Sequence, residues 1–121
     1  MGVARGDRQA YARQALENYR LFGAPHVAII TSDEALGTYG ALDCGAYVNN
    51  FLLAAQSFGI ASIPQAALAS HSKFVREHFG LGVDRLVVCG ISFGYEEDAA
   101  PANHFRTTRA TLEEVATLVE D

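Results

Sequence analysis

The chain has no tryptophan, a single methionine and a single lysine, and from Cys44 to Ser72 it has no Asp, Glu, Lys or Arg. Cations are scarce overall: the formal net charge is −5, and no basic run is present. A nucleic-acid partner is therefore excluded, because phosphate binding needs a concentrated basic face. The two cysteines, Cys44 and Cys89, stand far apart and outside any CxxC pattern. They read as buried free thiols of a reducing compartment; a disulfide between them is the alternative and has nothing in its favour. His26, His71, His78 and His104 lack metal-ligand spacing, so no metal site is expected. The N-terminus, MGVARGDRQAYARQ, has no apolar core of a secretion signal, which predicts a cytoplasmic location. There is no linker and no repeat, and 121 residues fit one domain, 1–121.

What is abundant is apolar surface, half of all residues. It concentrates in LDCGAYVNNFLLAAQSFGIASIPQ, Leu42 to Gln65. This stretch predicts a helix over Asp43–Phe58 that is apolar nearly all the way round, through Cys44, Tyr47, Val48, Phe51, Leu52, Leu53 and Phe58. Asn49, Asn50, Gln56 and Ser57 interrupt it well short of the ~20 apolar residues a membrane span needs, and Gly59 closes it. One side then packs on this chain's own core and the other against a second protein chain. Gly45, Ala46, Ala54 and Ala55 are small enough for a close approach. After Gly59 the segment Ser62–Ala67, with a proline inside it, is suited to presenting backbone N–H groups to a ligand.

Around this centre the chain reads in order. Asp7–Leu21 is an amphipathic helix with Tyr11, Ala15, Tyr19 and Phe22 on one stripe, stopped by Gly23-Ala24-Pro25. His26–Thr31 is a β-branched central strand buried on both faces. Ser32–Leu42, with Gly37 and Gly40, is a loop. Ser70 caps a short helix over His71–His78 that turns Phe74, Val75 and Phe79 inward and its histidines outward, and Gly80 ends it. Arg85–Phe93 is the second strand. Glu96–Asn103 is an acidic loop, and Leu112–Val119 is undecided between helix and strand. The pattern is α+β or α/β with two clear strands, and two strands alone do not make a stable sheet, which predicts completion from outside the chain.

Several stretches together carry a family resemblance: Phe22-Gly23-Ala24-Pro25 before a strand; Leu42-Asp43-Cys44-Gly45 opening a helix with Asn49-Asn50 and Leu53-Ala54-Ala55; and Gly59 through Ala67, GIASIPQAA. Leu86–Tyr95, LVVCGISFGY, and Asn103–Arg109, NHFRTTR, followed by Leu112-Glu113-Glu114, complete the order. In this order they resemble the FMN-dependent nitroreductase family, and specifically its C-terminal half. The family's opening segment, whose Arg- and Ser-containing stretch grips the flavin phosphate, has no counterpart here.

The resemblance implies an α+β nitroreductase-like fold, with a central sheet, flanking helices and a long buried dimer-interface helix. It implies FMN as cofactor and NAD(P)H as co-substrate, with ping-pong hydride transfer to nitroaromatics, quinones or similar acceptors. Pro64, Gln65, Ala66 and Ala67 would run along the isoalloxazine edge, their amides facing N5 and O4 where reduction places negative charge. Asn103, Arg106 and Arg109 would reach the phosphate, and Tyr39 would border the partner's substrate channel. The homodimer would form through the 43–58 helix and a C-terminal arm. The alternative is a non-catalytic nitroreductase-like dimer without a working flavin site.

Overall fold

The β-branched run at His26 and the apolar run at Arg85 both form strands, and they pair with each other. In a computed structural model describing residues 3–119, β1 (His26–Asp33) runs antiparallel to β3 (Arg85–Gly94), with His26 opposite Phe93 and Ile30 opposite Cys89. A bulge follows Ile30. Beyond it Arg85 reaches across, its Nη2 donating to Thr31 Oγ1 at 2.8 Å. The proline-containing segment after Gly59 is not a loop but a third strand. This β2 (Ala61–Gln65) lies antiparallel on the other side of β3, giving the order β1-β3-β2. The chain therefore completes a three-stranded sheet from within, against the expectation of two strands waiting for outside help. Pro64 concealed the strand because it cannot donate to a ladder. An edge strand tolerates it, and β2 is an edge.

One face of the sheet carries the long apolar helix. That helix, α2 (Gly37–Ser57), starts well before the expected Asp43 and absorbs most of the stretch read as loop. Gly37 and Gly40 gave the loop signal, but Gly40 is there for packing. It is buried, and a Cβ on it would overlap the side chain of Ser32 on β1. Ile30, Cys44 and Ile91 form the buried centre, with Val48, Phe51, Leu52 and Cys89 packed around it and Phe51 edge-on to Phe93 at 5.4 Å. Both cysteines are free, as read. Burial pushes the Cys89 thiol above its ordinary range, and the nearby Cys44 adds to this. Ile91 is 0% exposed. Ile91→Ala should therefore cost about 2–5 kcal/mol in urea unfolding, because nothing around the vacated volume is free to collapse. A loss below ~1 kcal/mol would place the core elsewhere.

Only one side of α2 is covered within this chain. Leu42, Tyr47, Leu53 and Phe58 are each more than half exposed. At 100° per residue Leu42 and Leu53 lie opposite Cys44, Val48, Phe51 and Ala55, while Tyr47 and Phe58 lie on the flank of that face. The remaining helices are also sparsely covered. α1 (Arg8–Leu16) is capped by Asp7, whose Oδ1 accepts from the Ala10 amide at 2.9 Å, and it ends earlier than the expected Leu21. A 3-10 segment, Glu17–Gly23, follows. No residue of either is buried, and the Tyr11–Tyr19–Phe22 stripe is only partly covered by this chain, Tyr19 standing edge-on to His71 at 5.1 Å. In α3 (Ser72–Phe79) Val75 is buried, but Phe74 and Phe79 face outward, contrary to the periodicity reading. Its histidine His78 and the preceding His71 are exposed, as expected, and Gly80 closes the helix in the left-handed conformation. The undecided tail contains a single helical turn, α4 (Leu112–Val115), held by a Thr111–Glu114 capping box. Leu112, Val115, Leu118 and Val119 are all exposed, so the tail does not fold back on its own core. Among the described residues no helix is long and apolar enough to cross a membrane.

Candidate functional site

Antiparallel pairing brings the end of β3 beside the starts of β1 and β2, and a cleft of about 540 Å³ opens at this end of the sheet. That volume lies within the range of small-molecule and cofactor sites. Ser92 and Phe93 of β3 and Ile63 of β2 form its floor. Gly94 sits at the corner, where a Cβ would come within 2.7 Å of the Pro25 ring. The far rim is the acidic loop, contributing Glu96, Glu97, Asn103 and Arg106.

The near wall is the least expected part. Leu21 (φ 56°, ψ 26°) and Phe22 (φ 52°, ψ 29°) both adopt the left-handed conformation, followed by Gly23 at φ 79°. Two consecutive bulky residues there are costly, on the order of 1–3 kcal/mol each, and such strain persists only where surrounding structure enforces it. Neither residue type announces it, because a left-handed turn is normally written with Gly or Asn.

The expected site residues divide into those the cleft gathers and those it does not. Asn103 and Arg106 are in it. Asn103 Nδ2 donates to the Glu97 carbonyl at 2.8 Å. Arg106 donates to the carbonyls of Asn103 and Phe105, and its Nη2 stands 3.6 Å from Glu96 Oε1. One guanidinium therefore faces the Glu96 carboxylate, with Glu97 also lining the cleft, a balance that the sequence reading missed although both residues were plain to see. Arg109 lies outside the cleft and donates only to Thr107 Oγ1 and the Thr108 carbonyl. Pro64 and Ala66 are exposed beyond the cleft floor and Ala67 is half-buried. The Gln65 side chain is 3% exposed, with its Nε2 donating to the Asn18 carbonyl at 2.9 Å and its Oε1 accepting from Ser92 Oγ. Tyr39 is 77% exposed in the first turn of α2. Gln56, at the other end of that helix, borders the cleft. At 1.5 Å per residue the two lie roughly 25 Å apart, so one chain does not bring Tyr39 to its own cleft. A second cleft, of about 550 Å³, lies between β1 and α2 beside Thr31, Asp33, Asp43 and Tyr47. It holds none of the expected residues. Among the described residues no group of acidic, His or Cys side chains is arranged to hold a metal.

Comparison with known proteins places this geometry. The sequence model described as "Nitroreductase family" matches residues 2–95. Nitroreductase NfnB of Mycolicibacterium smegmatis is 38% identical over 94% of this chain and 48% of its own length. A 4-nitrobenzoate reductase of a Nocardioides species is 35% identical over 95% of this chain and 45% of its own. The solved structure of the FMN-dependent NfnB from Mycobacterium smegmatis in complex with NADPH superposes with a TM-score of 0.93 at 36% identity, covering 98% of this chain and 53% of that one. An FMN- and NADPH-dependent NfnB of a Sphigopyxis strain superposes at 0.94, with 31% identity over 99% of this chain and 54% of that one. The chain spans about half the length of the curated relatives it matches. In sequence and in α+β fold it belongs to the nitroreductase family.

Proposed function

We propose that this chain supplies the ring-side part of an FMN site in a homodimeric, NAD(P)H-dependent oxidoreductase that reduces nitroaromatic compounds. What carries the reading is the cleft at the end of the sheet, in a chain that superposes almost wholly on FMN- and NADPH-dependent relatives. The residues present fit the planar part of the cofactor better than its phosphate. Phe22, Pro25, Ile63 and Phe93 offer flat apolar contact, and Ser62 and Asn103 offer a few polar groups among them. Toward a phosphate the same cleft offers Arg106 alone, already shared with Glu96.

When bound, FMN supplies the redox chemistry, taking a hydride from NAD(P)H and passing it to a nitroaromatic, quinone or similar acceptor in ping-pong turns. The chain's own residues bind and orient. The apolar walls exclude water and hold a planar ring. The backbone amides of Ala66 and Ala67, beyond the β2–β3 ladder, are the donors left for an oxygen or nitrogen that becomes negative on reduction. Arg106 draws the anionic tail to the rim. A cytoplasmic setting suits the free thiols. The partner covers the outer arc of α2 and receives the C-terminal arm, and it would bring a second Tyr39 toward this cleft.

The charge balance at the rim provides the test. With FMN in excess, the chain should catalyse NADPH oxidation dependent on 4-nitrobenzoate above the rate of free FMN. Arg106→Ala should weaken FMN affinity about tenfold, whereas Glu96→Gln should strengthen it several-fold by releasing the guanidinium. Flavin fluorescence titration and loss of nicotinamide absorbance measure the two. No turnover above free FMN, or the same sign for both variants, would refute this reading.

A further inference from the structure

The left-handed wall and the buried Gln65 belong to one arrangement. Ser92 is part of the cleft floor, 1% exposed, and its hydroxyl donates to Gln65 Oε1. Gln65 Nε2 in turn donates to the main-chain carbonyl of Asn18 at 2.9 Å, three residues before the Leu21–Phe22–Gly23 turn. The carboxamide can face only one way, since the reverse orientation would set Oε1 against the Asn18 carbonyl. No buried side-chain N or O among the described residues is left without a partner. A fully satisfied polar link inside a protein is strong and direction-specific. Here it joins the floor of the cleft to the segment that forms its wall. The wall also needs such a hold: nothing in Glu17–Gly23 is buried, and two of its residues sit in a conformation they would leave if released.

We propose that Gln65 is a positioning residue of the cleft, not a ligand: its carboxamide ties Ser92 on the floor to Asn18 and thereby holds the Leu21–Gly23 turn in its left-handed form against the bound ring. The ligand part of this rests on the flavin reading above; the tether itself does not. Gln65 presents no side-chain atom to the cleft, so it acts through the turn. The same tether accounts for a glutamine on a strand whose neighbours Ile63 and Pro64 are exposed.

Amide hydrogen exchange on the 121-residue chain tests the tether directly. Gln65→Ala leaves Ser92 unpartnered and could unfold the sheet, so the informative variant is Gln65→Met combined with Ser92→Ala. Replacing both partners with apolar groups of similar shape is tolerated far better than orphaning one. Amides 18–24 should exchange about tenfold faster in the double variant, with the β3 amides within about twofold of wild type. Asn18→Ala should leave exchange within about twofold, because the strong bond goes to the main-chain carbonyl. Unchanged protection at 18–24, uniform acceleration of the whole chain, or equal opening by Asn18→Ala would each overturn the proposal. FMN titration then separates the two readings. If wild type binds FMN, the double variant should bind it about tenfold more weakly, and equal affinity overturns the positioning role. If wild type takes up no FMN, the flavin reading falls and the exchange result alone decides the tether.

Discussion

Residues 1–121 on their own should bind FMN at least about a hundredfold more weakly than the same residues joined to the upstream half of the Mycolicibacterium relative. A flavin phosphate carries close to two negative charges near neutral pH, and holding it takes several charge-assisted donors at once. The cleft provides one, Arg106, and sets Glu96 beside it, with Glu97 also in the lining. Arg109, the other candidate, is turned to its own segment. The family resemblance places an Arg- and Ser-containing grip upstream of the part this chain matches. Two such bonds at about 1.5–3 kcal/mol each amount to roughly 3–6 kcal/mol, or two to four decades of affinity. Flavin fluorescence titration of both proteins measures the ratio. A submicromolar dissociation constant for residues 1–121 would show that the cleft needs no further grip.

A single charge on the outer arc of α2 should separate the proposed dimer into monomers. Ala54 is exposed in the isolated chain and flanked by Leu53, 64% exposed, and Phe58, 78% exposed. An apolar patch of this extent is unusual on a monomer and marks an interface. Ala54→Arg would bury an unpaired guanidinium there at a cost of roughly 3–5 kcal/mol, two to four decades in the dimer dissociation constant. Sedimentation velocity at micromolar concentration should give a dimer for wild type and a monomer or aggregate for the variant. The choice of position matters. Leu52, next along, packs against the Ile30–Cys44–Ile91 centre of its own chain, so Leu52→Asp should unfold the protein rather than divide it. A folded wild-type monomer, or an Ala54→Arg dimer as tight as wild type, would rule out this interface.

These outcomes turn on distinctions that the residues carry unequally. β1 and β3 were legible nearly to their ends from their continuous apolar runs. Yet β1, read as a central strand buried on both faces, lies at an edge of the sheet with only Ile30 and Ser32 buried, because a β-branched run does not tell a centre from an edge. β2 was not, since Pro64 and the polar Ser62 and Gln65 look like a turn until β3 is known to lie beside them. The start of α2 was obscured by Gly40, whose reason is a contact with Ser32 that no local pattern encodes. Phe74, Val75 and Phe79 were read as one inward group, but only Val75 is buried: the pattern alone could not tell a residue facing this chain's core from one facing outward. The same limit applies to Tyr11 and Tyr19. At the cleft, Arg106 and Asn103 were found through the resemblance. Gln65 was read only as one residue of a ring-edge segment; its partners Asn18 and Ser92 lie 47 and 27 residues away, and only the fold introduces them. The turn at Leu21–Phe22 was invisible because neither residue type announces a left-handed backbone.

The two margins of the sheet are chemically unequal, and this gives the chain a direction of growth. A ladder ends in a row of free N–H and C=O groups that will accept any extended peptide able to match it. On the β2 side that row is short and has a gap at Pro64, which has no hydrogen to offer. The β1 margin, eight residues from His26 to Asp33, has no proline and carries an unbroken apolar run, Val27–Ile30. An added strand would thus dock beside β1 far more readily than beside β2. In the folded protein such polarity would let further segments join the sheet on one side without disturbing β2 on the other. In an overexpressed or partly assembled chain it names the place where unwanted pairing begins. A lysine introduced at Val27 or Ile29 would guard that margin, and a proline at Ile63 would not.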